Sequence, residues 1–207
     1  TLSGLTIRDG RSGEGGGFIM GPNSTVTLND CVIGPNNVVY YAGGGLANEG
    51  GTLTLNRCAV MENHGTGSQG GAGIFVGYGT TTLINSTVSG NVTNNYGGGI
   101  LAQYGGQVSL IHSTVSGNTA NQNYEVEAWG GGGGIYVGPY GSVTLQNSIV
   151  AGNTDLTDPA TANHLKWPDV YGAVTSSGGN LIGDGTGSSG WGASDLVGTA
   201  AAPIDAR

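Results

Sequence analysis

The sequence predicts an all-β protein, a right-handed single-stranded parallel β-helix with three short strands in each coil of roughly 27 residues. Three observations predict it. A cassette that reads G-G-G-I-L-A-Q-Y-G-G-Q-V-S-L-I-H-S-T-V-S-G-N at 97–118 recurs at 15–36, 43–63, 71–91 and 132–153. Its anchoring leucines fall at Leu28, Leu55, Leu83, Leu110 and Leu145, in steps of 27, 28, 27 and 35 residues. Glycine and asparagine return at fixed places between short alternating segments. Self-similarity at such a period marks a solenoid, in which a unit buries its core only against its neighbours.

Within a copy the first strand follows the glycines, as in Phe18-Ile19-Met20, Ile74-Phe75-Val76 and Ile100-Leu101-Ala102. The second alternates strictly, as in Thr25-Val26-Thr27-Leu28 and Thr52-Leu53-Thr54-Leu55, which is the period of a half-buried strand. The third is Cys31-Val32-Ile33 and its equivalents, closed by turns such as Ser89-Gly90-Asn91. Such short strands, with no Asn-Gly or Asp-Gly hairpins between them, exclude a sandwich or meander. The glycine load and the missing 3.6-residue period exclude helices. The right hand is expected from the general preference of parallel crossovers.

The turn columns have physical reasons. Asn36, Asn63, Asn91, Asn118 and Asn153 each lie eight residues after the leucine, where an internal amide ladder is expected. Glycine triplets provide tight bends, and Ala72 shows that the middle position is not always Gly. Cys31 and Cys58 share a column with Ser86, Ser113 and Ser148. Stacked about one strand spacing apart, the two cysteines read as small buried thiols, and ladder geometry also permits a disulfide. A metal site would need more ligands than this pair offers.

The chain reads as a single domain, 1–207, that opens and closes inside repeats, like a piece of a larger protein. Contacts with a parent chain or end-to-end association are therefore expected at its open coils. Insertions are expected at about 121–129 and 154–178, and insertions of solenoids are often their binding parts. Residues 183–207 read as a loose last turn. Net charge is −8, from 5 Lys+Arg and 13 Asp+Glu, which leaves no basic patch for nucleic acid or anionic membrane. No apolar run is long enough for a membrane span. Gly at 44 of 207 is about three times the usual share, without the three-residue period of collagen.

Three surface signals bear on function. Aromatics recur in the turn before the second strand, at Tyr78, Tyr104 and Tyr140, and the insertions add Tyr124, Trp129, Trp167 and Tyr171. Exposed rings in a column stack sugars or contact protein, and the same column would equally cover the corner of the solenoid. Loop carboxylates Glu125, Glu127 and Asp169, with Asp155 and Asp158, are the catalytic candidates if the chain is a polysaccharide-active enzyme, which needs two such groups about 5–9.5 Å apart. Nothing in their spacing supports calcium, and His64, His112 and His164 occupy different repeat positions. The third signal is an outward T-x-T array at Thr25/Thr27, Thr52/Thr54 and Thr80/Thr82, which resembles the ice-binding faces of β-helical antifreeze proteins. Asp30 and Arg57 share a column and read as a surface ion pair. No cofactor motif is present.

The cassette resembles the repeats of large bacterial cell-surface or secreted right-handed β-helix proteins, the polymorphic-outer-membrane-protein-like group that often carries a choice-of-anchor domain. Ser177-Gly178-Gly179-Asn180-Leu181-Ile182-Gly183, followed by Trp191 and Asp195-Leu196-Val197-Gly198, is similar to the segment towards the end of such helices. The resemblance implies an extracellular or cell-surface, adhesin-like scaffold with a polysaccharide or a surface protein as partner. The catalytic patterns of lyase and hydrolase β-helices are missing, and fold alone confers no chemistry.

Overall fold

The computed structural model describes residues 1–38, 41–121, 131–157 and 166–206. It is all-β, with no helix among the described residues, and its strands pair only in parallel with their counterparts one coil away. The leucine anchors set the register: Leu2 pairs with Leu28, Leu28 with Leu55, Leu55 with Leu83, Leu83 with Leu110 and Leu110 with Leu145. The fold is a parallel β-helix.

The coils up to Thr154–Asp155 carry a fourth strand beyond the three that the sequence predicts. It has only two residues, as at His64–Gly65, Val92–Thr93 and Thr119–Ala120. Four sheets therefore run along the solenoid. The first is built on strands such as Ile74–Val76, the second on Thr80–Ile84, the third on Thr87–Ser89, the fourth on Val92–Thr93. Residues 154–178 interrupt the rhythm less than expected. Val170–Ala173 and Thr175–Ser176 join the first and second sheets, so the coil resumes well before the fragment Leu181–Ile182. Residues 183–206 add a shortened coil, with Ser188–Ser189 on the first sheet and Leu196–Val197 on the third.

The interior is filled by like residues stacked coil on coil. Leu28, Leu55, Leu83, Leu110 and Leu145 are buried, as are Ile33, Val60, Val88, Val115 and Val150. At the first coil, Leu2 and Leu5 stay 43% and 44% exposed in the columns where later coils bury Leu28 and Cys31.

Two polar ladders thread this apolar core. In the first, Asn36 Nδ2 donates to Asn63 Oδ1 at 3.1 Å, and the same step repeats from Asn63 to Asn91, Asn91 to Asn118 and Asn118 to Asn153 at 2.8–2.9 Å. The second hydrogen of each amide goes to a backbone carbonyl, for example from Asn91 Nδ2 to Val60 O at 3.0 Å. The ladder ends on Asp169, whose Oδ1 accepts from both Nδ2 and N of Asn153 at 2.8 and 3.0 Å. An ionised carboxylate accepts without donating, so it closes a run of donors that all point one way.

The third glycine of each triplet explains where Asp169 comes from. A Cβ at Gly45, Gly73, Gly99 or Gly134 would meet the ladder amide of its own coil at 2.7–3.0 Å. Asp169 is the next member of that column, since Val170 pairs with Ile135. In its coil no ladder asparagine fills the space, and its own side chain does.

In the second ladder, backbone N–H groups donate to the next side chain: Cys58 N to Ser86 Oγ at 3.0 Å, then Ser86 to Ser113, Ser113 to Ser148 and Ser148 N to Asn180 Oδ1. It too ends on an aspartate, because Asn180 N and Nδ2 both donate to Asp195 Oδ1 at 2.9 Å. Burial raises the Asp195 carboxyl, but donations from Ser176, Asn180 and the Gly192 N–H outweigh it and hold it below its ordinary 3.8. A lowered native value means that this carboxylate stabilises the last coil above pH 3.8 and loses that contribution as pH falls through the native value. Asp195→Asn should therefore flatten the acid limb of a Tm-against-pH curve; parallel curves for the two proteins would contradict it.

Cys31 and Cys58 are free and buried at the start of this ladder. Cys31 N donates to Cys58 Sγ at 3.4 Å, and the Cys58 thiol donates to Leu28 O at 3.3 Å. Burial pushes the Cys58 thiol up. Both thiols should resist a thiol-reactive dye in the native protein and react on unfolding, since the nucleophile is the exposed thiolate. Rapid native labelling would contradict this placement.

Candidate ligand-binding site

The corner between the first and second sheets is where aromatic side chains gather. Strand Ile74–Val76 turns through Gly77-Tyr78-Gly79 into Thr80–Ile84, and Ile100–Ala102 turns through Gln103-Tyr104-Gly105-Gly106 into Gln107–Ile111. Ile74 pairs with Ile100, so Tyr78 and Tyr104 share one register. Their rings stack at 5.8 Å with 20° between planes, and they remain 65% and 38% exposed. Tyr104 has a left-handed backbone, φ 56°, which turns its side chain out at the corner. Its hydroxyl donates to Gln69 Oε1 at 3.2 Å, and Gln103 Nε2 donates to the same oxygen at 2.7 Å.

Tyr140 belongs to the next turn but sits one residue later. Tyr104 N bonds Pro139 O, which places Pro139 opposite Tyr104. At 89% exposure, Tyr140 lies beyond the pair, with no ring partner among the described residues. Trp167 lies elsewhere, in a separate half-buried stack along the outer side of the first sheet: Tyr96 on Tyr136 at 4.8 Å, Tyr136 on Tyr171 at 4.7 Å, Tyr171 on Trp167 at 4.3 Å. Burial, then Tyr171 and Tyr96, pushes the Tyr136 phenol up to about 12. A Cβ at Gly187 would fall 2.0 Å from Trp167 Cδ1, so this ring is packed on backbone. The structure thus brings together two of the aromatic candidates and sets Trp167 apart. Tyr124 and Trp129 lie outside the described residues.

The catalytic candidates do not assemble among the described residues. Glu125, Glu127 and Asp158 lie outside them. Asp155 accepts from Asn121 Nδ2, Gly131 N, Thr157 N and Oγ1, and Trp167 N at 2.7–3.0 Å, which ties down the base of the second interruption. Asp169 closes the asparagine ladder and also accepts from Asp184 N at 2.7 Å through Oδ2. Burial raises its carboxyl in spite of these donors. It lines a half-open cavity of about 800 Å³ between the outer side of the third sheet, at Thr114, Ser116 and Ile149, and residues 203–206. That cavity is separate from the tyrosine corner. Among the described residues no group of three or more His, Cys, Asp or Glu is placed to hold a metal ion, and no helix is long and apolar enough to cross a membrane.

The threonine ranks are in register, Thr25 beside Thr52 beside Thr80, and then give way to Gln107 and Ser142. Arg57 and Asp30 form the expected ion pair, bidentate at 2.7 and 2.9 Å on an exposed surface.

Sequence reasoning missed Glu14, Glu49, Gln69 and Gln103, which together with Tyr41 neighbour the tyrosine pair. Glu49 and Gln103 occupy one column, directly after the first strand, with Gly77 between them: Glu49 N bonds Met20 O, Gly77 N bonds Asn48 O and Gln103 N bonds Val76 O. Aligning the turns as closely as the strands exposes that column. Scans against protein-family models, the curated proteins and the solved structures return no match for this chain.

Proposed function

We propose that the chain is a non-enzymatic extracellular or cell-surface scaffold, adhesin-like in use, whose tyrosine corner binds glycan. The observation that carries this reading is the stacked, exposed Tyr78–Tyr104 pair beside the Gln69 and Gln103 amides. A flat ring pair offers apolar area to the C–H face of a sugar, while fixed amides offer hydrogen bonds to its hydroxyls. The shelf is open along the solenoid, so a polymer can cross it without threading a pocket. A protein partner would look for a larger apolar patch than two rings.

The experiment is affinity measurement over a panel of oligosaccharides with wild type, Tyr78→Ala and Tyr104→Ala. Each substitution should weaken binding about tenfold, the equivalent of about 1.4 kcal/mol of ring contact. Unchanged affinity in both variants contradicts the site. Release of hydrolysis or β-elimination products from the panel contradicts the non-enzymatic reading and favours a polysaccharide-active enzyme.

A further inference from the structure

Among the described residues, the one buried side-chain oxygen without a hydrogen-bond partner is Glu49 Oε1. A carboxylate oxygen shut from water with no donor is costly, and such groups in native proteins are commonly completed by something bound. The surroundings say what. Gly77 leaves the space into which Glu49 reaches, since a Cβ there would lie 2.9 Å from Glu49 Oε2 and 3.1 Å from Phe75 Cε1. Phe75 meets Tyr41 edge to face, with centroids 6.3 Å apart. Tyr41 N donates to Gly13 O at 3.0 Å, which brings Glu14 alongside, and Tyr41 O accepts from Gln69 N at 3.1 Å. Gln69 in turn holds the Tyr104 hydroxyl. Glu49, Tyr41 and Phe75 thus lie together beside the turn that carries Tyr78, with Glu14 near enough to act on both titratable groups.

Among the described residues no cation pairs with these two acids. The ion pairs of the described residues are Arg8–Asp9 and Arg57–Asp30, and neither glutamate takes part. Arg11, three residues from Glu14, is exposed and unpaired among the described residues. Burial, then Glu14, raises the Glu49 carboxyl; burial, then Tyr104, Glu49, Glu14 and Tyr78, raises the Tyr41 phenol. These groups therefore share one field. Ring faces with carboxylates behind them attract an ammonium through both the ring quadrupole and charge-assisted hydrogen bonds.

The geometry points to an amino-sugar site: the Glu49 carboxylate takes the free ammonium of a hexosamine whose ring lies on Tyr78 and Tyr104. This rests on the glycan reading of the corner and narrows its ligand to glycans with unacetylated amines. A neutral sugar would give Oε1 a hydroxyl donor but leave the charge of both glutamates unanswered.

The test is calorimetric titration, near neutral pH and at low salt, with glucosamine oligosaccharides and with their N-acetylated forms. Wild type should bind the free-amine form about tenfold more tightly, the scale of one desolvated cation–π and carboxylate contact. Glu49→Gln should erase the preference while unfolding at the same or a higher temperature, because it removes an unpaired buried charge. Equal binding of the two forms by wild type, or a preference that survives in Glu49→Gln, overturns the amino-sugar site and leaves the glycan shelf standing. Failure of both forms to bind, or indifference of both to Tyr78→Ala, overturns the shelf as well.

Discussion

Asn91→Ala should destabilise the protein by about 4 kcal/mol, far more than loss of an asparagine on the outer side of a sheet. Asn91 is fully buried in the middle of the amide ladder. Its Oδ1 accepts from Asn63 N and Nδ2 at 3.0 and 2.9 Å, and its Nδ2 donates to Val60 O and Asn118 Oδ1 at 3.0 and 2.8 Å. Alanine removes these four bonds from the core, and each buried group left unpaired costs about 1–3 kcal/mol. Some relief comes because Asn118 Oδ1 still accepts from the backbone N of residue 91. The control is Asn56, whose amide donates to Asn29 Oδ1 at 3.2 Å on the outer side of the second sheet. Asn56→Ala should cost about 0.5 kcal/mol, since water replaces the lost contact. Urea unfolding with an unchanged slope measures both. Similar losses in the two variants would mean that the interior ladder holds little of the fold.

Gly99→Ala should cost about 3 kcal/mol, whereas Gly21→Ala should be neutral within about 0.5 kcal/mol. The added Cβ at Gly99 would lie 2.6 Å from Gly134 O and 3.0 Å from Asn118 Nδ2. Neither neighbour can retreat, because one is the backbone of the next coil and the other is held in the ladder. At Gly21 nothing lies within 4 Å and the backbone needs no left-handed angle. The pair separates glycines that admit a close approach from glycines that merely bend the chain. The middle of the triplet differs again. Ala72 stands in glycine's place there, and a Cβ on Gly65, in the fourth strand of the preceding coil, would meet its Cα at an ordinary contact distance of 3.4 Å.

The strand register was legible because apolar columns repeat with the coil. Once Leu28, Leu55, Leu83, Leu110 and Leu145 are aligned, the asparagine and Cys/Ser columns follow, and the structure stacks them as ladders. The fourth strand was not legible, since two residues such as His64–Gly65 show no period. Nor were the ladder ends. Asp169 reaches its place from the glycine column of a coil with no ladder asparagine, which makes a structural acceptor look like a loop carboxylate. Asp195 continues the Cys/Ser column through Asn180, but serine, asparagine and aspartate share only an acceptor atom.

At the corner, the tyrosines showed as a recurring turn residue, but their partners did not. Glu49 and Gln103 differ in type and are separated by Gly77, so no repeat connects them; only the path of side chains over an empty position does. Trp167 was grouped with the corner by composition, and the structure stacks it on Tyr171 in another column. Composition finds aromatic mass, while register decides which rings meet.

The proposed glycan shelf is tested most directly by NMR with ring-labelled tyrosine, titrated with a binding oligosaccharide from the panel. Sugar stacked on the pair should shift the ring signals of Tyr78 and Tyr104 together, with saturation at one dissociation constant, while Tyr136, half-buried in the other stack, stays still. Shifts at Tyr136 and Tyr171 with Tyr78 and Tyr104 unmoved would contradict the account.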